Sequence, residues 1–142
     1  MAAVNPYLNF NGNCSTAFDF YKSVFGGEFA MKMLFKDMPA EHKIDPAESD
    51  LIMHISLPMG HGTVLMGSDR PKMYGPGVNG DNFYVSLQAD SEEEAKRLFN
   101  ALSAGGKVTM PLEKAFWGSL FGMWNDQFGI QWMISYAYGQ GK

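Results

Sequence analysis

The sequence has little of what catalytic and nucleic-acid-binding chains are commonly built on. Its 142 residues include one cysteine, Cys14, which excludes an internal disulfide and a Cys-based zinc cluster and fits a reducing cytoplasm. Lys and Arg number 11 against 15 Asp and Glu, for a net charge of -4. No basic run occurs, so the clustered positive charge that nucleic acid or an anionic membrane requires is missing. No apolar stretch approaches the roughly 20 residues that span a bilayer, and Met1–Asn5 has neither the basic start nor the apolar core of a signal peptide. The expectation is a soluble, cytoplasmic protein whose partner is a small molecule. Histidine is scarce as well: of His42, His54 and His61, no two have the i, i+2 or i, i+4 spacing that puts ligands on one face. No glycine-rich loop follows a strand and opens a helix, so no nucleotide cofactor is indicated, and no serine stands in a nucleophile-elbow context.

What the sequence does contain is a repeat with an offset of about 79 residues, from Gly26 to Gly105. Asn5–Asn11 reads as a strand and Ser15–Phe25 as a helix with the apolar stripe Ala17, Phe20, Tyr21 and Val24, started by Asn13 or Ser15 and ended by Gly26-Gly27. Asn82–Ala89, Ser91–Ser103 and Gly105-Gly106 restate that order, with Ala95, Leu98, Phe99 and Leu102 as the stripe and Ser91 with Glu94 as a capping box. Three further strands follow each helix. They are Glu28–Lys36, Asp50–Leu57 and Thr63–Met66 in the first half, and Lys107–Leu112, Phe116–Met123 and Ile130–Ser135 in the second. Pro58–Gly62 and Asn125–Gly129 supply the hairpin turns. The fold class is therefore α+β: two β-α-β-β-β modules, 1–70 and 82–142, in one domain. Arg70–Asp81 links them, and the Pro-containing Asp37–Ser49 is either a lid or a plain solvated connection. Half-length modules bury poor cores alone, so the two are expected to pack together with a pocket where their sheets face.

The segments Pro6-Tyr7-Leu8-Asn9-Phe10, Ala17–Gly27 and Trp124-Asn125-Asp126-Gln127-Phe128-Gly129-Ile130-Gln131-Trp132 resemble the vicinal oxygen chelate superfamily. Within it they are most similar to the PhnB-like, demethylubiquinone-methyltransferase-like branch of the glyoxalase/bleomycin-resistance proteins. The resemblance covers nearly the whole chain. It implies a curved mixed-sheet cup, glyoxalase/bleomycin-resistance-like, in a homodimer. It also implies a divalent ion held by His and Glu from both modules, at positions falling near Asn5–Tyr7, Leu65 or Met66, Phe83 or Tyr84, and Met133. None of these is a His or Glu. Thioethers and a phenol do not hold a hard divalent ion at neutral pH, so no metal and no cofactor is expected.

Period-two alternation assigns Leu51, Met53, Ile55 and Leu57 to a helix-covered face and Ile52, His54 and Ser56 to the cup. His54 is the candidate for catalysis, as a base or a hydrogen-bond donor to a ligand oxygen, with Asp69 as its orienting acid; a structural histidine and a turn-capping acid are the competing readings. The same sorting sends Phe83, Val85 and Leu87 to the helix side, Tyr84, Ser86 and Gln88, and Gln131, Met133 and Ser135, to the cup, and Trp132 beneath a helix. Met66, Tyr84, Ser86, Phe116, Trp117 and Met133 are the expected ligand-binding wall, whose filling should quench Trp117 or Trp124. An aromatic, thioether-rich surface favours stacking on a planar or amphiphilic ligand. The leading expectation is a metal-free binding protein. The alternative is a lyase, isomerase or dioxygenase of the same superfamily, using a metal or His54 with Asp69 or Tyr84, and an interaction module is a third reading.

Overall fold

In this computed structural model, residues 2–39 and 45–138 are described; His42 and the middle of the 37–49 segment lie outside them. The chain divides into two compact units, Met1–Val78 and Asn79–Lys142, each built on the expected β-α-β-β-β plan.

In the first unit, β1 (Tyr7–Phe10), α1 (Cys14–Phe25), β2 (Met31–Leu34), β3 (Ile52–Gly60) and β4 (Thr63–Asp69) follow in chain order, and the sheet order is β1-β4-β3-β2. The second unit repeats this with β5 (Val85–Gln88), α2 (Glu92–Ser103), β6 (Lys107–Lys114), β7 (Ser119–Asn125) and β8 (Gln131–Ala137), in the order β5-β8-β7-β6. In both, the first strand runs parallel to the last and the other pairs are antiparallel. Each helix covers one face of its own sheet and leaves the other face open.

The buried stripe of α1 is Cys14, Ala17, Phe18, Tyr21 and Val24. Phe18, and not Phe20, is the aromatic ring against the sheet, because the stripe begins one turn earlier than Ala17. Phe18 meets Phe10 and Tyr21 edge-on, with ring centres at 6.1 and 5.4 Å. It comes so near β4 that a Cβ on Gly67 would stand 2.7 Å from its Cε1. In α2 the stripe is the expected Ala95, Leu98, Phe99 and Leu102. Ser91 Oγ accepts from the Glu94 amide, and Glu94 reaches back to the Asp90 amide. Gly122 on β7 plays the part of Gly67, since a Cβ there would lie 2.8 Å from Phe99 Cε1.

Neither Asn13 nor Ser15 caps α1. Asn13 makes no side-chain cap bond; the first helical amide, that of Cys14, is taken instead by Asp69 from the end of β4. Asp69 is 1% exposed. Its Oδ1 accepts from Gly12 N at 3.0 Å and Cys14 N at 2.9 Å, and its Oδ2 accepts from Ile52 N at 2.9 Å. The β3–β4 turn is also tighter than expected. The strands continue through Pro58 to Gly60, and only His61 and Gly62 turn, both with positive φ, the conformation that matches a two-residue hairpin to strand twist.

Between β4 and the second unit, residues 70–77 are fastened to the first unit. The Asn11 side chain both donates to Gly77 O and accepts from Gly77 N, and Arg70 donates to Gly75 O and Tyr74 O. Among the described residues, no helix is long and apolar enough to cross a membrane.

Candidate functional site

The strand register sorts the open face of the first sheet. Tyr7 stands beside Met66, Met66 beside Ser56, and Met33 beside His54. Tyr7 Oη and His54 Nδ1 are 3.2 Å apart and their ring centres 5.6 Å apart, so the phenol and the imidazole form a pair on the open side. Sequence reasoning missed Tyr7 because pairing between β1 and β3 runs across the intervening β4, which periodicity within a strand does not reveal.

Asp69 is not the partner of His54. It follows Leu65 and Gly67 on the helix-covered side of β4, where three backbone amides engage its carboxylate, while His54 lies on the opposite face. Ile52 also departs from its expected side and is fully buried together with Ile55. The cause is an irregularity between the pairs Met33–His54 and Leu34–Ile52. Met53 is the extra residue, so the alternation is reset across it.

On the second sheet, Val85, Leu87, Trp132 and Ile134 lie on the helix side. Trp132 is under α2 as expected. Its ring stacks on Trp124 at 6.3 Å and 6°, and Phe99 meets Trp124 edge-on at 5.2 Å. Trp124 is fully buried and is no reporter for the open face. The neighbouring turn is set by Asp126, whose Oδ1 accepts from Phe128 N and Ile130 N and whose Oδ2 accepts from Trp132 Nε1 at 2.9 Å.

The open face carries Ser86 beside Met133, then Met133 beside Met123 and Met123 beside Met110. Phe121 pairs with Ser135 towards one end, and Asn125 with Gln131 at the other. Phe116 and Trp117 belong to the β6–β7 turn, not to a strand. Trp117 contacts both Phe116, at 5.0 Å, and Phe121, at 5.5 Å, which joins the turn to the aromatic end of this face. Tyr84 precedes β5, and Phe83, expected on the helix side, is 58% exposed, because the ladder with β8 begins only at Val85. The face therefore grades from indole and phenyl through thioethers to amides.

The donor set does not fit a hard divalent ion. At the positions where the resemblance implies ligands, Tyr7 stands beside Met66, Tyr84 just precedes β5, and Met133 has Ser86 as its cross-strand neighbour, which together offer phenols, a hydroxyl and two soft sulfurs. Among the described residues, no group of three or more His, Cys, Asp or Glu side chains comes together. Cys14 supplies no nucleophile: it is buried, and burial, reinforced by nearby Asp69, pushes its thiol well above the ordinary range, so the reactive thiolate is suppressed at neutral pH.

Each unit also has a cavity. One of about 250 Å³ is lined by Asn11, Gly12, Glu48, Leu51, Arg70 and Lys72, among others. Its polar groups are engaged in structure: Arg70 binds the 74–75 carbonyls, and Glu48 accepts from the Lys72 amide. The other, about 400 Å³, lies at the amide end of the second sheet.

The family model described as Glyoxalase/Bleomycin resistance protein/Dioxygenase superfamily matches residues 3–134. Protein YjdN of Escherichia coli (strain K12) is 32% identical over 141 residues, covering 93% of each chain. The crystal structure of protein PA1353 from Pseudomonas aeruginosa superposes with a TM-score of 0.86 at 40% identity, over 96% of this chain and 98% of that one. The PhnB protein from Bacillus cereus shares the fold, with a TM-score of 0.73 at 22% identity over 96% and 100%. The chain belongs to the glyoxalase/bleomycin resistance protein/dioxygenase superfamily.

Proposed function

We propose that this protein binds an aromatic or amphiphilic small molecule without a metal ion, and that it does so on the open sheet faces as a cytoplasmic homodimer. The observation that carries the reading is the donor set: thioether and hydroxyl stand where a metal-using relative needs imidazole and carboxylate. The row of Trp117, Phe121, Met123 and Met133 supports stacking and adaptable apolar contact. Ser86, and Tyr84 just before β5, add hydroxyls along the β5 side. The test combines elemental analysis of the purified protein with titration of a naphthalene-bearing probe followed by tryptophan emission. Quenching in wild type that is lost in Trp117→Leu, with no stoichiometric metal, supports the reading. A tightly held zinc, manganese, nickel or iron ion at unit stoichiometry overturns it.

The Tyr7–His54 pair favours a second reading, His-based proton transfer. An imidazole whose Nδ1 is held by a phenol presents Nε2 as its working atom. Turnover of a superfamily-type substrate that survives chelation and disappears in His54→Ala supports this reading over simple binding.

A further inference from the structure

The cavity at the amide end of the second sheet is lined by Asn79, Gly80, Asp81, Asn125, Gly129 and Gln131, all within one unit. It holds a polar atom that the fold leaves without a partner. Asn125 Oδ1 is buried and accepts no hydrogen bond, although nearly all buried polar atoms in native structures have a partner. Its neighbours do not supply one. The Gln131 amide nitrogen is engaged with Phe83 O, and Asp81, as a carboxylate, has only acceptors to offer.

From these observations we infer that Asn125 Oδ1 is the anchor of a subsite for a neutral hydrogen-bond donor, a hydroxyl or amide N–H, on the ligand. This rests on the binding reading above and adds the chemistry of the ligand's far end. The Asp81 carboxylate and the Asn125 oxygen disfavour a carboxylate or phosphate placed beside them. Lys107 is the cross-strand neighbour of Asn125, and a cation on the same strand pair counts against an ammonium. Phe121 and Asn125 are four residues apart on β7, roughly 13 Å along the strand. The ligand class is thus an aromatic body carrying a hydroxyl or amide about that distance away.

The probes are naphthylheptanol, its methyl ether and naphthylheptanoate, which share a body, have a chain long enough to span that distance and differ at the far end, with affinities measured by calorimetry. Wild type is expected to bind the alcohol about tenfold more tightly than the ether, and the carboxylate most weakly. Asn125→Leu should bind alcohol and ether equally, and Asn125→Asp should restore the preference. Leucine fills the same space and removes an unpartnered atom, so loss of folding is not expected to confuse the result; circular dichroism of both variants checks this. Equal binding of alcohol and ether by wild type overturns the subsite and leaves the apolar face standing. Binding of none of the three overturns both.

Discussion

Replacing Asp69 takes the acceptor away from three backbone amides at once, and the loss is calculable from the geometry. Gly12 N, Cys14 N and Ile52 N all donate to this one carboxylate at 2.9 to 3.0 Å, and the last two bonds are buried. A hydrogen bond to a charged group contributes about 1.5–3 kcal/mol, and a buried donor left without a partner costs about 1–3 kcal/mol. Asp69→Ala orphans two fully buried donors and one partly buried donor, so a loss of about 4 kcal/mol is expected. That is a large share of the roughly 5–15 kcal/mol that holds a domain together. Asp69→Asn is the informative control. Its carbonyl oxygen still accepts from Gly12 and Cys14, but its NH₂ faces the Ile52 N–H, donor against donor, and about 2 kcal/mol should be lost. Urea unfolding followed by far-ultraviolet circular dichroism gives the totals. Amide hydrogen exchange locates them: Ile52 alone should lose protection in Asp69→Asn, and Cys14 as well in Asp69→Ala. Losses below about 1 kcal/mol in both variants, with Cys14 and Ile52 still protected, would refute the assignment of Asp69 as the long-range cap of α1.

Other outcomes follow from the same contacts. Asp126→Ala should cost about 2–4 kcal/mol and shift tryptophan emission to the red, because Trp132 Nε1 and two turn amides lose their acceptor; unchanged emission counts against it. Gly67→Ala should destabilise by about 1–3 kcal/mol, since its Cβ would meet Phe18 and the Leu8 carbonyl, measured by the urea midpoint. Tyr7→Phe should leave stability within about 0.5 kcal/mol, because the bond to His54 is exposed, while calorimetry reads any loss of probe affinity. The folded Cys14 thiol keeps its proton to higher pH than the unfolded one. Its contribution is therefore fully present below the ordinary value of 9.0 and declines as pH rises beyond it, by up to about 1.4 kcal/mol per pH unit; the alkaline fall in stability should be shallower in Cys14→Ala than in wild type.

The β-α-β-β-β plan was legible in the sequence because each helix carries an apolar stripe of period 3.6 and each strand a turn signal at its end. The strip of open face through Ser86 and Met133 was legible for the same reason, since alternation within a regular strand fixes its sides. Ile52 and Phe83 were misplaced where regularity stops, at the bulge around Met53 and ahead of the β5–β8 ladder. The role of Asp69 and the partner of His54 both depend on residues more than forty positions away. Such contacts are decided by strand order, which a local pattern does not contain. Asn125 was visible only as a turn-rich residue beside Asp126; that its oxygen lacks a donor is a property of three-dimensional packing alone.

The parallel pairing of β1 with β4 also bears on how the polypeptide is made. Tyr7 reaches its register partner Met66 only after 58 intervening residues, and closing a loop of that length costs roughly 4 kcal/mol of chain entropy. A nascent chain on the ribosome therefore holds its first strand unpaired until the fourth has emerged, and α1 waits for Asp69, translated more than fifty codons later. Each unit should mature as a block, late and all at once, with its apolar strands in need of protection until then.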